Sequence, residues 1–350
     1  MRDSGRLLRA VYAAMVAAGI DAPAVFQRLG LKVEMLEDAE LRTRHEAQIV
    51  FWAAVEAVTG DPDVSLHLLP HMPMEGGGVI EYLALSSANM REGMARAQRY
   101  LRLVSDALRI EIEERGGEAQ ALVNAAVGSH PLLRHTEVCT VYGLMQFFDK
   151  ISGRRFKARR VDLRMPAPRN PRDYDKAFGC PVRFGREQAA VVFDARLLDL
   201  PSLHAEPDLL NLHEQLAQKR LSALARQDLI DQVRRIFSQS LESGACSLEA
   251  TAERLNLAPR RLRFELARAG TSFNQVLAQV RYDLARDLLT RTSEPVERIA
   301  YLTGFSELST FHRAFRRWSG RTPAQFRREK QAPRVVPQRG AHGSRVQSSA

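Results

Sequence analysis

Cysteine is scarce in this chain. Its 350 residues hold three, Cys139, Cys180 and Cys246, far apart and with no C-x-x-C spacing. That argues against a disulfide framework and against a cysteine-built zinc site, and it points to a reducing cytoplasm. Long hydrophobic runs are missing as well. No uninterrupted apolar stretch approaches the ~18 residues of a membrane span, and the longest, 138–148, reads as a buried helix. There is no Walker loop, no G-x-G-x-x-G and no G-x-S-x-G. No cofactor is expected, and no membrane partner. With 45% hydrophobic and 26% charged residues the composition is that of a globular protein, which excludes collagen-like, coiled-coil and wholly disordered chains.

Acidic residues thin out toward the C-terminus. Residues 1–218 hold 27 basic and 29 acidic side chains, whereas residues 219–350 hold 24 and 12, so the last third carries a net charge of +12. A near-neutral module joined to one that binds a polyanion fits that split. The plainer alternative is a solvated basic surface. Arg2, Arg6 and Arg9 ahead of the apolar stretch 10–20 loosely imitate a signal peptide. With no convincing cleavage site, an amphipathic first helix is the better reading.

The pattern up to residue 205 is mixed. Ile49, Phe51, Trp52 and Val55 share one helical face in 43–58. Helical spacing resumes at 79–86, 91–104 and 132–151. Between them Leu108, Ile110 and Ile112 alternate with Arg109, Glu111 and Glu113, then Gly116-Gly117 intervenes, then Ala119, Ala121, Val123 and Ala125 alternate again. That predicts a β-hairpin. Strands are expected at 160–165 and 189–193. The predicted layout is a helix-rich α+β domain over 1–205, a linker helix over 206–228, an all-α domain over 229–330, and a disordered tail over 331–350.

Two stretches of the last third, 247–269 and 295–319, share one plan. In the first, Ser247 caps a short helix with Leu248, Ala252 and Leu255 inside. A turn at Asn256-Leu257-Ala258 follows, and Pro259 opens a second helix. Leu262 and Leu266 face inward, and Arg260 and Phe264, flanked by Arg261 and Arg263, face outward. In the second, Val296, Ile299 and Ala300 face inward, Gly304 supplies the tight turn and Ser306 is expected to cap. Phe311, Phe315 and Trp318 then point inward, and Ser309, Arg313 and Arg316 outward, with Leu308 at the start, His312 at the edge and Arg317 beside Arg316. Helix, short turn, helix with a basic outer face is the helix-turn-helix plan, whose second helix enters the major groove. A helix over 272–290 joins the two. If it sets them roughly 34 Å apart, one chain reads two successive groove faces.

The stretch 281–328 closely resembles the signature of AraC/XylS-type transcription regulators, through Ala285, Leu288-Leu289, Ile299-Ala300, Gly304-Phe305-Ser306, Phe311, Arg313-Ala314-Phe315, Gly320, Pro323 and Phe326. The first copy fits through LNLAPRRLRFELARAGTSFNQVL. More weakly, LGL at 29–31, residues 83–106 and FGCPVRFG at 178–185 resemble the arabinose-binding and dimerisation-type domain of the branch that holds regulators of ornithine use. The resemblance implies a one-component regulator of promoter DNA: a homodimer that binds a small-molecule effector through its N-terminal domain, contacts RNA polymerase and stays in the cytoplasm, with the nucleoid. It also implies base readers at Arg260, Arg263 and Phe264, and at Leu308, Ser309, His312 and Arg313. Phe264 stands where the family usually has arginine, so it can touch a thymine methyl but cannot bond guanine. Pro295 stands where a capping serine is usual.

Three weaker constellations compete. His67 with His71, and His130 with His135, imitate metal ligands, but each pair holds a proline and lacks a clear third ligand. Cys180 raises a DNA-modifying or alkylation-repair enzyme as an alternative, because one DNA-repair methyltransferase carries an AraC-like region. A reactive thiol needs a base or a helix N-terminus to lower its pKa; no Cys-His signature is present, so a buried structural cysteine is the better reading and no enzyme activity is expected. A non-specific DNA-packaging protein is the third reading.

Overall fold

The computed structural model describes residues 1–73, 78–125, 130–242 and 246–331, and the tail at 332–350, expected to be disordered, lies outside the described residues. The chain divides into two compact units, Met1–Ser222 and the remainder from Ala223.

A three-residue strand, β1 (Arg2–Ser4), opens the first unit and pairs antiparallel with β2 (Arg42–Arg44). No alternating pattern announces either strand. They are held by Asp3, whose carboxylate lies 2.8 Å from His45 Nδ1 and accepts from Ser105 Oγ at 2.5 Å and from the Gln48 amide. Burial alone would raise that carboxyl, but the hydrogen bonds from His45, Ser105 and Gln48 outweigh it and hold the group below the ordinary carboxylate range.

Four helices follow the usual apolar spacing: α1 (Gly5–Ala17), α2 (Ala22–Arg28), α3 (Ala47–Thr59) and α4 (Val64–Leu68). They bury Val11 and Met15, Val25 and Phe26, Phe51, Trp52 and Val55, and Leu68 in one cluster. Ser4 and Asp21 cap the first two. The first helix therefore starts at Gly5, ahead of the apolar stretch, and Arg2 lies in a strand. Helices α5 (Val79–Leu85) and α6 (Met90–Tyr100) then pack through Leu83, Ala97 and Tyr100.

The hairpin forms as its pattern predicts, from β3 (Leu108–Arg115) and β4 (Glu118–Ala125). Gly116 and Gly117 have φ of +60° and +82°, and two positive φ values in succession are what a type I′ turn requires. Ile110 sits opposite Val123, and Ile112 opposite Ala121. Helix α7 (Leu133–Ile151) comes next, then β5 (Ala158–Asp162), α8 (Pro171–Phe178), β6 (Val182–Arg183) and β7 (Ala189–Asp194). The five strands run in the order β3-β4-β7-β5-β6, and only the β5–β6 pair is parallel. Val138, Val141, Leu144 and Phe148 of α7 join Ala121, Val161, Val191 and Phe193 of the sheet in a single core. The rings of Phe148, Phe156 and Phe193 meet there at 5.1–5.4 Å.

His135 of α7 is 1% exposed and lies 2.7 Å from both Ser65 Oγ and Glu56 Oε1. Burial holds its imidazole below the ordinary value, against the pull of Glu56. The unfolded chain takes up this proton near pH 6.5, the folded chain only at lower pH. Folding stability should thus be intact above about pH 6.5 and fall on acidification below it, with a slope of up to about 1.4 kcal/mol per pH unit. Urea titrations at neutral and mildly acidic pH should show that slope flattened in His135→Gln. Equal slopes in both proteins would remove His135 as the cause.

Helix α9 (Pro207–Ser240) starts where the linker is expected but continues well past 228. Its first half supplies Leu210, Ala217 and Leu221 to the cluster under α5 and α6, and its second half supplies Val233 and Phe237 to the second unit. The second unit is helical throughout its described residues: α10 (Leu248–Arg254), α11 (Pro259–Arg268), α12 (Phe273–Arg291), α13 (Val296–Leu302), α14 (Leu308–Ser319) and α15 (Pro323–Gln331). Two cores form. Val233, Phe237, Ala252, Leu262, Leu266 and Val276 make one, and Ala285, Leu289, Ile299, Ala300, Phe311, Phe315 and Phe326 the other. The N-terminal half of α12 belongs to the first and its C-terminal half to the second.

Candidate nucleic-acid interface

In the first copy, Ser247 Oγ accepts from the Ala250 amide at 3.1 Å, capping α10 as expected. The turn into α11 uses Asn256 at φ +53°, and asparagine is one of the few residues with a side chain that tolerates this left-handed backbone. Pro259 takes the first position of α11. Leu262 and Leu266 are fully buried. Arg260, Arg261, Arg263 and Phe264 all lie exposed on the opposite side.

The second copy reaches the same geometry by other means. Pro295 precedes α13 with no side-chain cap, so the capping bond that serine would supply is absent. Gly304 turns the chain at φ +76°, and a Cβ there would stand 2.7 Å from the Leu241 carbonyl oxygen. Ser306 does not cap α14. The backbone stays extended through Glu307, at φ −128° and ψ 131°, and the helix starts at Leu308 with no side-chain cap bond. Phe311 and Phe315 are fully buried and Trp318 partly so. Leu308, Ser309, Arg313, Arg316 and Arg317 are exposed, and His312 is half-buried at the edge.

Alanine at Gly304 meets both a positive φ and a backbone oxygen. Gly304→Ala should lower unfolding free energy by about 1–3 kcal/mol, read by urea denaturation. An unchanged midpoint would show that the turn can relax away from Leu241.

Three features of this surface gave no sequence signal. Arg281 of α12 donates from Nη2 to the Gly304 carbonyl at 2.9 Å and lays its guanidinium 4.6 Å from the centre of the Phe305 ring. It pins the second turn. Burial pulls its pKa down, and its Nε is buried without a hydrogen-bond partner among the described residues. Glu265 reaches Arg261 at 2.5 Å and Arg268 at 3.7 Å. Those same guanidiniums lie 5.7 and 5.8 Å from the Phe264 ring, which is 53% exposed. Phe264 is thus held between two cations on the outer face of α11. Arg260, Arg263, Arg316 and Arg317, by contrast, make no ion pair among the described residues, so their charges stay available to phosphates or bases.

Cys180 is buried, and burial together with Asp175 pushes its thiol up to about 11, where little thiolate forms. Burial pushes Cys139 up to about 12. His67 pairs with Asp61 at 2.6 Å, and His135 is engaged as described above. Among the described residues no three His, Cys, Asp or Glu side chains are placed to hold a metal ion, and no helix is long and apolar enough to cross a membrane.

Paired helix-turn-helix units on a shared helix, with apolar inner and basic outer faces, define a DNA-binding protein. Family comparison agrees. The arabinose-binding N-terminal domain of AraC transcription regulators matches residues 19–202, and a helix-turn-helix domain matches residues 251–329. The ornithine utilization regulator of Pseudomonas aeruginosa is 30% identical over 314 residues, 88% of this chain and 91% of that protein. The HTH-type transcriptional regulator VirS of Mycobacterium tuberculosis is 28% identical over 273 residues, 76% of this chain and 78% of its own. The crystal structure of the transcriptional regulator CdpR from Pseudomonas aeruginosa aligns with 82% of this chain and 99% of its own, at 19% identity and a TM-score of 0.38. The chain belongs to the AraC family of transcription regulators. These domains and relatives are transcription regulators, not enzymes, which leaves the repair-enzyme alternative without support.

Proposed function

We propose that this DNA-binding regulator is sequence-specific and controlled by a small molecule held in its N-terminal domain. The observation that carries the first half is the outer face of α11 and α14. Each presents exposed side chains at i, i+3 and i+4 over a sealed apolar inner face, and the arginines there outnumber their acidic partners. Arg260, Arg263 and Phe264 read bases from α11, and Leu308, Ser309, His312 and Arg313 from α14. Arg261, Arg316 and Arg317 hold phosphates. The family's arabinose-binding-type domain supports the second half. An effector acts by binding two arrangements of the protein unequally and shifting their populations. RNA polymerase and promoter DNA are the expected partners, and the cytoplasm, at the nucleoid, the expected location.

The same reading takes the regulator as a homodimer. Leu209, Leu212 and Leu216 form one stripe on α9 and are 48%, 59% and 37% exposed, a heptad-like seam suited to a second helix. Leu212→Glu should shift sedimentation toward monomer, and an unchanged profile would place the dimer contact elsewhere.

Fluorescence anisotropy tests the proposal. Purified protein is titrated into DNA from upstream of its own and adjacent genes, and into scrambled DNA, at two salt concentrations. A preference of about 10³ or more for one fragment is expected. Equal, steeply salt-dependent binding to every fragment would mean phosphate contacts alone and favour the packaging reading.

A further inference from the structure

The first unit contains a cavity of about 570 Å³, within the range of about 300–1,000 Å³ typical of small-molecule sites. Its wall is drawn from β1, β2, α1, α3, α5, α6, α7 and β3, and is mostly apolar: Val11, Phe51, Met94, Leu101, Ile110 and Phe147 contribute to it. Among the described lining residues only Asp3 and Glu81 are charged, and both are engaged. Asp3 is saturated by His45, Ser105 and Gln48, and Glu81 is paired with Lys150. No lysine, arginine or histidine is among the described residues that line the space.

Polar residues are a minority of the lining; Gln98 and Gln146 are among them, and four others adjoin a smaller recess. Asp3, Gln48, Thr136 and Thr140 line both this cavity and a small recess of about 40 Å³. Thr136 accepts from Trp52 Nε1 at 3.0 Å and donates to Gln48. Thr140, one turn further along α7, makes no side-chain hydrogen bond among the described residues. A second observation is Gly143, in the middle of α7 and on the cavity wall. A Cβ built there meets nothing within 4 Å. Glycine inside a helix costs roughly 0.5–1 kcal/mol relative to alanine. Here the bare backbone leaves the space open.

We infer that the effector of this domain is an uncharged, predominantly apolar molecule of alkyl or alkyl-aromatic type, with its polar end beside Thr140, and neither a sugar nor an amino acid. The inference rests on the effector-control reading above. An amino acid brings charges at both ends, and the described residues of this wall offer no free charged partner for them, so their desolvation would go uncompensated. A pentose carries a hydroxyl on nearly every carbon and would leave most of them facing aliphatic groups. A neutral alkyl chain needs only the area the cavity offers and one hydrogen bond.

Nile red is the probe, titrated into the full-length protein and displaced by dodecanol, dodecanoate, L-arabinose or L-ornithine. Dodecanol should displace the dye, dodecanoate should be at least about tenfold weaker, and the two polar metabolites should have no effect. Gly143→Leu, which fills the space, should weaken dye binding by about tenfold or more without lowering the melting temperature, whereas Gly143→Ala should retain binding. Val50→Phe narrows the same cavity from α3 and serves if Gly143→Leu misfolds. Failure of the dye to bind, binding untouched by either filling variant, or calorimetric binding of arabinose or ornithine that the filling variants abolish would overturn the inference. DNA anisotropy separates the two readings. Cavity binding that leaves DNA affinity unchanged refutes effector control alone. A polar metabolite that alters DNA affinity without displacing the dye refutes the ligand class alone.

Discussion

Phe315→Ala should remove about 3–5 kcal/mol of stability from the second helix-turn-helix, the cost of deleting a buried phenylalanine where neighbours cannot collapse into the void. Phe315 is fully buried, and its ring centre lies 5.5 Å from Phe326 and 5.8 Å from both Phe311 and Tyr282. The core around it is small, and a loss of that size is a large share of the 5–15 kcal/mol that holds a typical domain together. The cluster it shares with Ala285, Leu289, Ile299 and Ala300 would lose that ring, and α14 would lose part of its seat. Urea denaturation followed by circular dichroism, alongside DNA anisotropy, tests this. A cost below about 1 kcal/mol would mean that the second core repacks freely. Phe264→Ala is the internal control: that ring is exposed, so stability should hold while any effect appears in DNA binding.

Arg313→Ala addresses recognition instead of folding. Arg313 is exposed on α14, and among the described residues its side chain donates only to Thr310 Oγ1, from Nη2 at 3.2 Å. If it reads a base, its loss should cost about 1–3 kcal/mol on the specific site and relax preference at one position. Arg316→Ala and Arg317→Ala, one turn further along, should weaken every sequence alike and lower the salt slope by about one each. Competition binding against cognate and scrambled DNA separates the cases. An equal loss from Arg313→Ala on both would sink its assignment as a base reader. Its stability should match wild type, unlike that of Phe315→Ala.

The parts of this protein that sequence conveys are those whose physics is local. The Gly116-Gly117 hairpin is readable because two alternating runs and a turn with two positive φ values lie within a few residues. The second copy is readable because Phe311, Phe315 and Trp318 recur at helical spacing with arginines opposite. Ser306 misled because a serine before a helix is a frequent cap, yet the chain there stays extended for one more residue. Strand β1 is three polar residues, and its reason for pairing lies in His45 and Ser105, 42 and 102 positions away. Helix α9 outran its expected end because its later apolar residues face a different core from its earlier ones. Arg281 looked like one basic residue among many, since nothing nearby in sequence discloses that Gly304 and Phe305 are its partners. The cavity, assembled from elements scattered between Asp3 and Phe147, has no linear signature.

Helix α12 serves both small cores of the second unit, and this makes it a ruler. One end is gripped by Val276 and the other by Ala285 and Leu289, so neither half of the unit completes its interior alone. Any residue gained or lost in the middle of α12 would advance one reading head by ~1.5 Å and swing it ~100° around the axis relative to the other. On the proposed reading, the two heads would accept changes in the side chains that face the groove, but not gradual changes in the distance between them. Target sites for a protein that reads DNA this way would be free to drift in letters while their spacing stays locked.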